Sequence, residues 1–319
     1  MTEAELATAD APGTDAAGAA PFERVADRVG RRWGELVERI GTEPMLAVQA
    51  VISFAAVVLG TALVLATLHP SELLKDTTTT GGDMGSHLWG PRYLIDHLLP
   101  QLRLSGWTPD WYSGFPAYQF YMVIPSLMVV AVHVGLPWWA AIPVLAATAA
   151  LVFAAWDRER LFRYRWAAVV LGGAVALLVV GVPYNLAFKW VTVAGLVGLP
   201  IACWFLARAA RLPFPVPPLA AVAGTLFIFN QNPLYNNTGN IIGGNFQSTM
   251  AGEFAFSISL TLAVLYLGVA IAGLRTGRYR ALAALLFALA GLSHLIPAFF
   301  VLGCTVALLV VQPDRSRIR

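Results

Sequence analysis

Charge is scarce in this chain. Asp, Glu, Lys and Arg make up 12% of it, against 58% hydrophobic residues and a mean hydropathy of +0.67. Soluble domains are about 45–50% apolar, so an ordinary water-soluble domain is excluded. The net charge of +3 is too small and too dispersed for a nucleic-acid surface. The excess of Lys and Arg reads instead as orientation information. Cysteine is nearly absent. Cys203 and Cys304 both lie inside apolar runs and read as small buried hydrophobes, which leaves no disulfide framework and no cysteine metal cluster. The alternating ten-residue segments of a membrane β-barrel are missing as well.

What the chain does have is long apolar runs, several of them reaching the roughly 18 residues that span a bilayer core. The first is Met45–Leu68, and others fall at 166–183, 187–207, 216–230 and 252–274. The run 121–156 is interrupted by Gly135, Pro137 and Pro143, and the run 281–311 by "GLSHLIP". The expected fold is all-α, a polytopic helical membrane protein of seven to eight spans with a long outer first loop carrying interfacial helices. Residues 1–21 read as a disordered cytoplasmic tail without a signal-peptide pattern, and 313–319 as a basic cytoplasmic tail. Between them, 22–40 carries Phe22, Val25, Val29, Trp33, Leu36 and Ile40 at helical spacing among arginines. That pattern suits an amphipathic interfacial helix, with 41–312 as the transmembrane domain.

Arginine clusters precede the first span and recur in "DRERLFRYR", "RAAR", "RTGRYR" and the C-terminal tail, whereas 231–250 has no Lys or Arg. If the clusters share the cytoplasm, the N-terminus is cytoplasmic and 69–120 and 231–250 face outward together. This parity gives 121–156 one net crossing.

The outer loop 69–120 concentrates the ionisable groups. From Met84 to about Leu104 the pattern is helical, with Pro91 and Pro100 expected to kink or divide it. Asp83 would stand at or beside the N-cap, where the helix dipole favours its ionised form, and His87 would share its face. A plain cap and a catalytic or metal-binding Asp83 are about equally supported by this pattern alone. Arg92 and Asp96 are spaced for a solvated i,i+4 pair. "GWTPDWYSGFPAYQFYMVIP" supplies Trp107, Trp111, Tyr112, Tyr118 and Tyr121, either an interfacial belt or a groove for a sugar ring or lipid chain.

In the second outer loop, Asn240 and Asn245 belong to a set of amides suited to binding hydroxyls, or to a turn-rich connection. Glu253 begins an apolar run. An acid there starts the helix or joins Asp83 in function. His294 interrupts the last run, either bonded to a carbonyl or at an outer turn near the site. Lys189 is expected in a short outer connection.

An Asp shortly after the first span, an interfacial helix and then "GFPAYQFYMVIPSL" resemble the GT-C glycosyltransferases. More narrowly, they resemble large bacterial membrane proteins labelled as a pyruvoyl-tetrahydropterin synthase-related membrane domain. "LAFKWVTVAGLVGLPIACWFLARAARL" is similar to that family's Lys-bearing helix, and "ALAALLFALAGLSHLIPAFFVL" to its late helix pair. The resemblance implies transfer of a sugar from a polyprenyl-phosphate donor to a glycan or protein acceptor at the outer face of the cell membrane. It implies a role for Asp83 as general base or metal ligand. Met84 stands where many members carry a second acid, and members are usually longer, so the chain reads as a truncated product, a minimal module or a subunit without catalysis.

On this reading Asp83, His87, Glu253 and His294 are the catalytic candidates. Arg92, Trp107, Trp111, Tyr112, Tyr118, Tyr121, Lys189, Asn240 and Asn245 are the substrate-binding ones. A divalent cation (Mg or Mn) on Asp83 with His87 would be a second source of positive charge. The competing classes are a transporter or flippase-like protein for lipid-linked glycans, and a non-catalytic membrane partner. Transporters place charge at the bilayer midplane and often show repeated halves, neither of which is seen here.

Overall fold

The computed structural model describes residues 38, 44–110, 113–119, 123–157, 165–229 and 243–311. The two expected tails and nearly all of the expected helix 22–40 lie outside these residues. Two compact units divide the chain after Ser53. Of the first, the start of helix α1 (Pro44–Thr67) is described, and everything below belongs to the second.

The fold is predominantly helical. The short α2 (Pro70–Leu73) leads to α3 (Met84–Tyr93). That helix runs on through a π turn (Leu94–Leu98) and a 3₁₀ turn (Leu99–Gln101) to an antiparallel hairpin of β1 (Gly106–Thr108) and β2 (Phe115–Ala117), in which Trp107 opposes Pro116. Pro91 lies inside α3, and Pro100 in the 3₁₀ turn, so the expected disruption takes the form of a change in helix type. Then come α4 (Val123–Val134), α5 (Trp138–Asp157), α6 (Arg165–Val180), α7 (Tyr184–Ala209) and α8 (Val216–Ile228). After the undescribed 230–242, the short α9 (Phe246–Ser248) and a π turn (Thr249–Glu253) open into α10 (Phe254–Thr276). The chain continues with α11 (Arg280–Ser293) and α12 (Leu295–Val311), separated by an extended His294.

Among the described residues, three helical stretches are long and apolar enough to cross a membrane: Pro44–Thr67, Tyr184–Ala209 and Phe246–Thr276. A fourth arises if α4 and α5, bent by 89° at Gly135–Pro137, count as one broken span. The remaining apolar helices are shorter, 10–17 residues, and at 1.5 Å per residue fall short of a core about 30 Å thick.

Helices α7 and α10 form the centre. A Cβ on Gly195 of α7 would stand 2.3 Å from the backbone carbon of Ser257, and Thr261 donates its hydroxyl to the Gly195 carbonyl at 2.8 Å. Small residues thus bring two backbones together where no water competes, the usual solution for helices in lipid. One core cluster matters for the site. Met84, Val129, Phe188, Val191, Phe254 and Ile258 lock α3 and α4 onto α7 and α10.

Candidate functional site

The segment after α2 meets the start of α10 along a seam of two glycines. Gly82 has φ +48, and a Cβ there would lie 2.0 Å from the Ala251 carbonyl oxygen. Gly252 has φ +126, and its Cβ would lie 3.0 Å from that of Asp83 and 3.1 Å from the His87 ring. Both positions need glycine for conformation and for space. The backbone amide of Asp83 donates to the Ala251 carbonyl at 2.7 Å and closes the seam.

Three candidates therefore converge. Asp83 starts α3 by accepting the His87 amide on its backbone carbonyl at 3.2 Å, yet its carboxylate accepts no hydrogen bond from the helix's first amides. It is exposed, as is Glu253 across the seam, and the two carboxylates lie near enough to repel. His87 is half-buried beside Asp83 and Gly252, its ring edge-on to Phe254 at 5.4 Å. Burial pulls the His87 pKa below the usual imidazole value, while the Asp83 carboxylate pulls it up; burial dominates, so the ring is neutral at pH 7. Such a set offers an exposed carboxyl group as proton acceptor and a neutral imidazole beside it. His294 packs further along α10, against Phe256 at 5.1 Å, with its carbonyl accepting from Ser259 at 3.0 Å.

Several expectations change. Arg92 forms no ion pair with Asp96. The π turn beginning at Leu94 alters the spacing, and the Arg92 guanidinium lies over the Tyr184 ring at 4.5 Å. Tyr184 in turn donates its hydroxyl to the Leu88 carbonyl, pinning α3 to α7. Lys189 is in the second turn of α7 and buried, not in an outer connection. Its ammonium donates to the carbonyls of Glu72 (2.8 Å) and Lys75 (2.9 Å) and to the Thr77 hydroxyl (2.7 Å). All three donors are thus spent on holding the 72–77 turn.

Among the aromatics, Tyr118 donates to Ser126 at 3.0 Å and lies against Gly90, where a Cβ would approach its hydroxyl oxygen to 2.4 Å; burial drives its pKa up. Trp107 is 66% exposed and covers Gly114; among the described residues it is the one aromatic of this group open to a ligand face. Its carbonyl accepts from Tyr93 at 2.8 Å, and Trp89 stacks on Tyr93, which packs in turn on His97 of the π turn. Asn245 is buried and caps α9 by accepting the Ser248 amide at 2.9 Å. Trp111, Tyr112, Tyr121 and Asn240 lie outside the described residues.

Among the described residues, no group of three or more His, Cys, Asp or Glu is arranged to hold a metal ion. The donor set at Asp83 does not fit a cation held by protein ligands alone.

Sequence reasoning missed Gly252, although a lone glycine before an acid at the head of an apolar run marks a break. It also missed an apolar groove of 490 Å³ lined by Leu65, Leu73, Leu74, Trp190, Val193 and Val197, among others. Trp190 fixes one wall by donating to the Leu73 carbonyl at 2.9 Å. Two positions back on α7, Phe188 packs on Phe254 at 5.5 Å, and Phe254 on His87. No protein-family model, curated protein or solved structure matches the chain.

Proposed function

We propose that the chain is a membrane glycosyltransferase of GT-C type, moving a sugar from a polyprenyl-phosphate donor to a glycan or protein acceptor at the outer face of the cell membrane. The observation that carries this reading is the meeting of Asp83, His87 and Glu253 at Gly252, with both carboxylates exposed at the head of a membrane-length helix. Asp83 takes the proton of the acceptor hydroxyl as its oxygen bonds to the anomeric carbon. The carbon–oxygen bond to phosphate breaks, and its electron pair leaves on the polyprenyl phosphate. Arg92, exposed on Tyr184, is the cation best placed on α3 to meet that phosphate. The apolar groove suits the isoprenoid chain. In this reading the shorter helices also cross, giving seven to eight spans, with the N-terminus cytoplasmic.

The test uses protein in lipid nanodiscs with a panel of labelled polyprenyl-phosphate sugars, with and without divalent cation. Wild type releases or transfers sugar, and Asp83→Asn, still folded, does not. Donor binding without turnover, unchanged in Asp83→Asn, overturns the enzyme and moves the transporter or partner readings ahead.

A further inference from the structure

The turn 102–107, between the 3₁₀ turn and the hairpin, presents large apolar side chains to the outside. It closes with Leu102 N to Leu99 O (2.9 Å) and Arg103 N to Leu98 O (3.0 Å), and Leu102 stands at φ +56. That position, just past the last helical residue, usually falls to glycine or asparagine. Leucine is strained there, and here it is also 95% exposed. Leu104 is 49% exposed. In β1 burial alternates. Gly106 faces Leu98, Thr108 is buried, and Trp107 between them takes the outer face with its ring against Gly114. One exposed leucine needs no explanation. Three large apolar side chains within six residues do, the more so when one occupies a position that suits glycine.

The packing beneath the turn narrows what covers it. Leu94, Leu98 and Ala117 form its floor and pack with Leu127 and Val130, one and two turns into α4. Helix α4 has only Ser126 and His133 as polar residues and is half of the bent pair that counts as a fourth candidate span. The turn therefore stands at the edge of the apolar layer, not far out in water. Arg103 lies between the two leucines, exposed and without an ion pair among the described residues. Apolar side chains, a tryptophan and a cation in one short turn match the chemistry of the phospholipid headgroup layer. We propose that 102–107 dips into that layer. Leu102 and Leu104 reach the acyl boundary, Trp107 lies at headgroup level, and Arg103 meets the lipid phosphates. Helix α3 and the two turns that extend it then form a rod along the membrane surface, tied at Asp83 to Ala251 and at Leu102 to lipid. The proposal is independent of the chemistry at Asp83.

The full chain, with Cys203→Ser and Cys304→Ser and one environment-sensitive fluorophore on Leu102→Cys, is placed in nanodiscs of phosphatidylcholine and phosphatidylglycerol. The emission is expected to lie to the blue of the same fluorophore on free cysteine. A nitroxide on the lipid acyl chain should quench more of it than aqueous iodide does. Where a lowered Tm shows that the left-handed position rejects cysteine, Leu104→Cys carries the label with the same expectation. Stronger quenching by iodide than by lipid nitroxide overturns the proposal and leaves the turn in water, open to a soluble glycan. A blue shift that neither quencher touches also overturns it, in favour of a protein neighbour.

Discussion

Asp83 gives its backbone amide to Ala251 while leaving its carboxylate in solvent beside Glu253. A residue that opens a helix normally spends its side chain on the first free amides. Here the backbone bond to Ala251 fixes the residue, and the acid is left for other work.

The seam should not tolerate a methyl group. Gly252→Ala forces an alanine to φ +126 and drives its Cβ toward Asp83 and His87. A loss of about 1–3 kcal/mol is expected, with transfer activity falling to background. Gly85→Ala, in α3 with nothing within 4 Å, is the control. It should keep activity and gain up to about 1 kcal/mol. Thermal unfolding and turnover measured on both variants check this.

Lys189 holds the 72–77 turn, so Lys189→Met should release it. Three charge-assisted bonds are lost, but their acceptors regain water, and the net cost is expected at about 3 kcal/mol. Hydrogen exchange should quicken at 72–77 well before it does in α7. Lys189→Arg should not rescue, because a planar guanidinium cannot meet three acceptors arranged around an ammonium.

The lowered pKa of His87 sets an acid limit on stability. In the unfolded chain the ring titrates near about 6.5, and in the folded chain lower. Between those values the unfolded chain binds the extra proton. Stability is therefore complete above the unfolded value and drains as pH falls toward the folded one. Tm measured from pH 8 to pH 5 should decline through this window in wild type, and His87→Gln should remove that component.

Gly90 and Tyr118 should be energetically coupled. Gly90→Ala places a methyl 2.4 Å from the Tyr118 hydroxyl oxygen and should cost about 1–3 kcal/mol. Tyr118→Phe removes the obstructing atom along with its bond to Ser126. A double-mutant cycle in Tm should show the pair less destabilised than the sum of its single changes.

Much of this architecture was legible in the residues themselves. The apolar runs located most helices, Asp83 and His87 fell on one face of a helix starting where expected, and Glu253 stood out as an acid at the head of an apolar run. What periodicity could not convey is contact across the fold. Arg92 is drawn to Tyr184 because a π turn changes the spacing beyond it, and helical spacing rules assume an unbroken α-helix. From sequence Lys189 reads as part of a short outer connection, because a lone Lys between apolar runs usually marks where one ends. Its partners are backbone carbonyls, which no side-chain pattern reveals. Asn245 read as a sugar-binding amide for the same reason: a cap bond is local, and several Asn in one loop look alike until one of them is buried.

The seam of Gly82 and Gly252 also has a history in time. Its halves leave the ribosome far apart, since translation at about 5–20 residues per second puts roughly 9 to 34 seconds between them. Throughout that interval the Asp83 amide has no Ala251 carbonyl to meet, and α3 must wait beside an unfinished bundle. The site comes into being only as the head of α10 arrives, so a chain halted before that point carries the acid without its setting.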